Sequence, residues 1–105
     1  MKPFGEFIRE QRIARGLLLR EVAAKLHIDP SLLSRIERGD KRATRVQVVQ
    51  LAAILRANEN EFLVQYLSER VVYELKDEKL ALKAMQAAEK KIVYLKRKKT
   101  GGKQL

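Results

Sequence analysis

Apolar side chains recur along this chain at intervals of three and four, and strict alternation of apolar and polar residues is nowhere sustained. The pattern predicts helices throughout. A first helix is expected from about Pro3 to Arg15, with Phe4 and Ile8 one turn apart on its inner face and Gly16 placed to end it in the left-handed conformation. A second, Leu19 to Leu26, carries Leu19, Val22, Ala23 and Leu26 as the i, i+3, i+4, i+7 stripe of an amphipathic helix. Ala23 is its small member, which lets a neighbouring helix approach closely at a tight corner.

Asp29 and then Pro30 mark the next start, since Asp caps orphan N–H groups and Pro suits the first helical position. This third helix, Pro30 to Arg38, buries Leu33 and Ile36 and stops at Gly39. Arg12 continues the line of Ile8 on the first helix, and a charge on an apolar face needs a buried partner. Glu37, one turn after Leu33, is that partner. Thr44 and Gln47 have capping-box spacing, and the fourth helix they open buries Val48, Leu51, Ala52 and Leu55. Asn58 and Glu61 repeat the signature ahead of a fifth helix bearing Phe62, Leu63, Tyr66 and Leu67.

Beyond Ser68, the residues Val71, Val72 and Leu75 suggest a short helix, and Asp77 is placed to cap a longer one ending near Lys98. In that longer helix Ala81, Met85, Ala88, Ile92 and Leu95 are spaced four, three, four, three, which is a heptad seam. It covers about two heptads, too few to stand alone in water. The run from Lys96 to Lys103 is expected to be frayed and mobile.

Composition narrows the function. At 105 residues the chain fits one compact domain with an appendage, and 46% hydrophobic against 34% charged residues supplies a core. The net charge of +10 favours a polyanionic partner, nucleic acid or an anionic membrane, without choosing between them. There is no cysteine, hence no disulfide framework and no Cys-based zinc site. His27, the single histidine, is better explained as a turn residue at positive φ than as a metal ligand or general base. No phosphate-cradling glycine loop and no nucleophile beside a base is recognisable. The chain is therefore expected to be no enzyme and to need no cofactor or metal. The N-terminus lacks an apolar signal region and no stretch approaches the roughly 18 apolar residues of a membrane span, so a cytoplasmic protein with no membrane partner is expected.

The second and third helices with the short His27-Ile28-Asp29 connection match the unit that places its second helix in the major groove of DNA. The elements Arg12 to Leu17, Glu21-Val22-Ala23, Ile28, Leu33 to Gly39, Leu51-Ala52 and Leu55, in this order and spacing, resemble the Xre/Cro group of phage and bacterial repressors. The resemblance covers about residues 4 to 67. It implies an all-α chain, with a five-helix lambda-repressor-like helix-turn-helix domain over 1–68, a C-terminal helical extension over 69–99 and a flexible basic tail over 100–105. Two positions depart from the family pattern. Leu18 stands where Ser or Thr commonly caps the second helix, with Glu21 left to reach back to that N-terminus, and His27 stands where Gly commonly makes the turn. Leu19 replaces a polar residue that some relatives use against phosphate, a contact that passes to Arg20.

By position in the family, Ser31, Leu32 and Arg35 face the groove, with Ser34 close by. Arg35 is the foremost base reader, because its fork matches guanine O6 and N7 together; a contact to phosphate alone stays open for it. Ser31 stands equally as a base or phosphate contact and as a first-turn residue that helps cap the helix. Arg38, Lys41, Arg42 and Arg45 form a basic loop suited to neutralising phosphates without reading sequence. The resemblance also implies that the Arg12–Glu37 pair braces the third helix from inside.

Relatives gain affinity by pairing two heads across a two-fold axis. The seam Ala81, Met85, Ala88, Ile92 and Leu95 is the expected dimer surface, the alternative being that this helix folds back on its own domain. The expected function is a homodimeric regulator that binds a double-stranded DNA operator, regulates its own operon and resembles restriction-modification controller proteins, with the sign of regulation open. No small-molecule effector is indicated. An antitoxin or adaptor whose C-terminal helices hold a protein partner is the alternative.

Overall fold

The computed structural model describes residues 2–104, with side chains through residue 99. Among the described residues there are helices and no strands: α1 Phe4–Ala14, α2 Leu19–Leu26, α3 Pro30–Arg38, α4 Arg45–Ile54, α5 Glu59–Leu75 and α6 Ala81–Gln104. The chain divides into two compact units, Met1–Val71 and Val72–Leu105, and the division falls inside α5.

In the first unit, α2 packs on α3 and α4, and α1 packs on α3. The apolar stripes predicted for these helices meet in one core of Phe4, Ile8, Val22, Leu26, Leu33, Ile36, Val48, Leu51, Leu55 and Phe62, with Ala23, Ala43 and Ala52 as its small members. Each large side chain of this set contributes roughly 1.5–3 kcal/mol by leaving water. An aromatic cluster joins α1 to α5: Phe4 stands edge-on to Phe62 at 6.2 Å and to Tyr66 at 6.2 Å, and Phe7 lies 5.1 Å from Phe62. The Phe4 N–H, free at the start of α1, donates to Glu69 Oε2 at 3.1 Å.

Helices α1 to α4 all end in the same way. A residue in the left-handed region follows each of them: Gly16 (φ 67°), His27 (φ 58°), Gly39 (φ 83°) and Arg56 (φ 52°). The next residue's N–H reaches back five positions, from Leu17 to the Arg12 carbonyl, Ile28 to Ala23, Asp40 to Arg35 and Ala57 to Ala52. This is the Schellman closure, in which an orphan carbonyl is satisfied and the following residue turns inward. Leu17, Ile28 and Ala57 do turn inward, packing against the core. Two of the four closures thus use residues with a Cβ where glycine is favoured.

The helix starts vary more. Thr44 caps α4 with its hydroxyl, accepting from Gln47 N–H at 3.1 Å, while Gln47 Oε1 accepts from Thr44 N–H at 2.9 Å. Leu18 has no side-chain acceptor, and only the return half of a box forms there, Leu18 N–H to Glu21 Oε1 at 2.9 Å. Asn58 Oδ1 accepts from Glu61 N–H at 2.9 Å. At Asp29 the backbone has the N-cap conformation and Pro30 begins the helix, but the carboxylate makes no capping bond. The expected Asp29 side-chain cap is therefore corrected to a cap by backbone geometry alone.

Three further expectations are corrected. The short helix expected after Ser68 is the continuation of α5, which runs unbroken to Leu75. No Gly or Pro interrupts it, and the Ser68 hydroxyl donates to the Gln65 carbonyl instead of opening a new helix. Leu67, placed with the inward residues of the fifth helix, is 41% exposed. Asp77 lies in the turn between α5 and α6, and α6 begins at Ala81 and continues past Lys98 to Gln104. Of the tail expected over 100–105, the side chains and residue 105 lie outside the described residues.

In the second unit, α6 carries the heptad seam on one line. Ala81 is half-buried, Ala88 is exposed, and Met85, Ile92 and Leu95 are 46%, 54% and 62% exposed.

Candidate nucleic-acid interface

Helix α3 buries Leu33, Ile36 and Glu37, which fixes which of its residues turn outward. Ser31, Arg35 and Arg38 are exposed at i, i+4 and i+7 and form one line about 10 Å long, while Leu32 and Ser34 stand half-buried on its two shoulders. Leu32 also packs against the core, so its side chain is partly committed to structure. Sequence order groups Arg38 with the loop; the helix brings it into line with Ser31 and Arg35. Its Nε lies 3.5 Å from Asp40 Oδ2 with both side chains at least 60% exposed, a surface pair of small worth that a phosphate can displace.

The loop after α3 is anchored by Ala43, which is buried to 7% exposure, so that Lys41, Arg42, Thr44 and Arg45 on either side of it are left at the surface. Arg20, near the start of α2, is exposed as well. The structure thus gathers Arg38, Lys41, Arg42 and Arg45 along the end of α3 and the start of α4.

What holds α3 is packed behind this face. Arg12 Nε and Nη2 donate to the two carboxylate oxygens of Glu37 at 2.8 and 3.0 Å, and Nη1 donates to the Leu17 carbonyl at 3.0 Å. The Arg12 side chain is 12% exposed and that of Glu37 4%. The hydrogen bonds it donates to Glu37 hold the Arg12 guanidinium above its ordinary pKa, against the lowering that burial causes. Gly5 provides the second support, and sequence reasoning missed it. A Cβ at Gly5 would stand 2.3 Å from the Ile36 carbonyl oxygen and 2.6 Å from that of Glu37, so α1 and α3 meet backbone to backbone. A cavity of about 520 Å³ beside this contact is lined by Glu6, Arg9, Leu19, Ser34 and Arg38 among others, and it adds Arg9 to the cations near the outward face.

Residues 3–63 match the model of a family described as a helix-turn-helix domain, more than half of the chain. The chain belongs to this helix-turn-helix family. Within the family's span lie α1 to α4, the start of α5 and every α3 residue discussed above. A crystal structure of the clp gene regulator ClgR from Corynebacterium glutamicum is similar to this helix-turn-helix chain, with a TM-score of 0.56 and 27% identity over 63% of this chain and 86% of that one. A second crystal structure of ClgR from the same organism shares the fold with a TM-score of 0.57 at 24% identity, over 89% of this chain and 85% of that one. The comparison with curated proteins gives no match.

Among the described residues no group of three or more His, Cys, Asp or Glu is placed to hold a metal ion, and no helix is long and apolar enough to cross a membrane. His27 is exposed in the turn between α2 and α3.

Proposed function

We propose that this helix-turn-helix chain is a transcription regulator of the Xre/Cro type that binds a double-stranded DNA operator as a homodimer. The observation that carries the reading is the two-sided build of α3. One side is held by the Gly5 backbone contact and the Arg12–Glu37 ion pair, and the other presents Ser31, Arg35 and Arg38 in line. A rigid helix with a polar, cationic outer line is what insertion into a major groove requires. Arg35 reads a base, with Ser31 and Ser34 beside it and Leu32 offering apolar contact to a thymine methyl. Arg20, Arg38, Lys41, Arg42 and Arg45 set orientation on the phosphates.

The likeness at 27% identity to a structure described as a gene regulator supports regulation as the purpose of the binding. Residues 1–68 form the reading head in this proposal, 69–99 the dimerising extension through Ala81, Met85, Ala88, Ile92 and Leu95, and 100–105 a basic tail. The operator lies at the chain's own promoter, as in a restriction-modification controller, and the protein acts in the cytoplasm without cofactor or effector. Nuclease footprinting over that promoter, with the parent and Arg35→Ala, tests the proposal. Arg35→Ala should lose about 1–3 kcal/mol on the protected site and relax discrimination at one base pair per half-site. Equal loss on random duplex makes Arg35 a phosphate contact, and no protected site at all refutes operator binding. An antitoxin or adaptor role is the second reading, favoured by the exposed apolar side chains of α6. It predicts a purified chain that is monomeric until a different protein covers them.

A further inference from the structure

The positive charge of this chain is concentrated away from its reading head. Residues 1–71 hold thirteen Lys and Arg against nine Asp and Glu, whereas the 34 residues from 72 onward hold ten against four. Within α6 the stretch from Lys90 to Lys99 contains six cations and no carboxylate. All six side chains are exposed, and none makes an ion pair among the described residues. Like charges so close on one helix repel, and an uncompensated run of this kind costs helix stability unless a polyanion meets it.

The cations have an order that composition does not reveal. Lys83, Lys90 and Arg97 are spaced seven apart, so on a helix they form one line with a rise of about 10 Å between members. That line lies roughly half a turn around α6 from Ala81, Ala88 and Ile92, opposite the seam. Lys91 and Lys98 flank it on one side. Tyr94, 60% exposed, stands between Lys90 and Arg97 and adds a hydroxyl donor.

This arrangement separates two polyanions. A helix lying in a membrane surface sinks a strongly apolar face rich in Trp, Phe or Leu. The seam of α6 holds two alanines and neither Trp nor Phe, and the line Lys83, Lys90 and Arg97 would point away from a bilayer on which the seam rested. A helix whose seam is covered by a second copy instead presents this line outward, on both copies. We propose that the face of α6 bearing Lys83, Lys90 and Arg97 is a second nucleic-acid contact, which binds duplex phosphates without regard to sequence. The proposal rests on the DNA-binding reading above and divides its labour: α3 selects the site, and α6 supplies affinity for any duplex and makes binding steeply dependent on salt.

The test uses the full chain with Lys83→Gln, Lys90→Gln and Arg97→Gln together. Gln matches Lys and Arg in helix propensity and leaves the seam untouched, so circular dichroism and sedimentation should equal the parent's. The matched control removes three charges elsewhere, Lys2→Gln, Lys25→Gln and Lys79→Gln. Affinities are measured by fluorescence anisotropy over a salt series, on the protected promoter fragment and on a random duplex of equal length. The slope of log affinity against log salt should fall by about 0.9 for each phosphate no longer neutralised, close to 2.7 where each of the three side chains of one copy meets one phosphate. Both duplexes should weaken by the same factor, leaving the preference for the promoter unchanged.

A slope no different from the control's overturns the proposal. Unaltered DNA binding with lost binding to phosphatidylserine vesicles overturns it in favour of a membrane. Failure of the underlying reading has its own signature: a parent with no preference for the promoter fragment and an Arg35→Ala variant with parental affinity for it.

Discussion

Arg12 and Glu37 offer the sharpest test of how α3 is held. In Arg12→Met a carboxylate with 4% exposure loses both of its donors, and the Leu17 carbonyl loses the Arg12 Nη1 donor as well. In Glu37→Met a guanidinium with 12% exposure loses its two acceptors but keeps the Leu17 carbonyl. Stranding one member of a buried pair costs about 3–5 kcal/mol, whereas replacing both with apolar residues is often near neutral. The double variant should therefore lose only about 1–3 kcal/mol, chiefly through the unsatisfied Leu17 carbonyl. For a head of this size 1 kcal/mol moves Tm by about 4–8 °C, so each single variant should melt at least about 12 °C below the parent. Arg12→Met should be the worse of the two.

Urea melts of the four proteins supply the cycle. Small additive losses would refute the reasoning.

Gly5→Ala should destabilise by about 1–3 kcal/mol or more, since the new Cβ at 2.3 Å meets the Ile36 carbonyl oxygen on the backbone, which has little room to yield; denaturant melts check it. His27→Gly and Arg56→Gly should each raise stability by up to about 1 kcal/mol, the relief of a Cβ in the left-handed region outweighing the entropy of glycine, and a lowered Tm would contradict the strain. Met85→Lys with Ile92→Lys should give a folded monomer whose operator affinity falls by a factor of about 100 or more. Sedimentation equilibrium reads the first of these effects and footprint titration the second. A dimer with normal binding would move the interface away from the seam.

The parts of the fold that sequence discloses are those with local chemical marks. Asp29-Pro30 and Gly39 bracket α3, Thr44 and Gln47 open α4, and Arg12 shows itself as a charge on an apolar line. Gly5 carries no such mark, because its requirement is set by the Ile36 and Glu37 carbonyls of another helix, distant in sequence. Arg56 is hidden for a different reason. Its closure lacks the glycine that announces Gly16 and Gly39, although Leu55-Arg56-Ala57 repeats the apolar, turn, apolar order of Leu26-His27-Ile28 and is readable from that. The expected break after Ser68 treats a capping residue as a boundary where no Gly or Pro supports one. At the candidate site the outward residues of α3 follow from which ones are buried, while Arg38 reads as part of the loop until its helical phase is counted.

The meeting of α1 and α3 at Gly5 has an evolutionary consequence. Because the approach is settled between main chains, the seat of α3 is indifferent to what its far side carries. Ser31 and Arg35 are exposed there and take no part in the core. Mutation can change these two side chains without renegotiating the fold, so, under the proposed function, a lineage could drift from one target sequence to another through intermediates that all remain folded. Leu32 and Ser34, half-buried on the shoulders, have less of this liberty and should change more slowly. Glycine at position 5, seated against the Ile36 and Glu37 carbonyls, would then be among the last residues to vary.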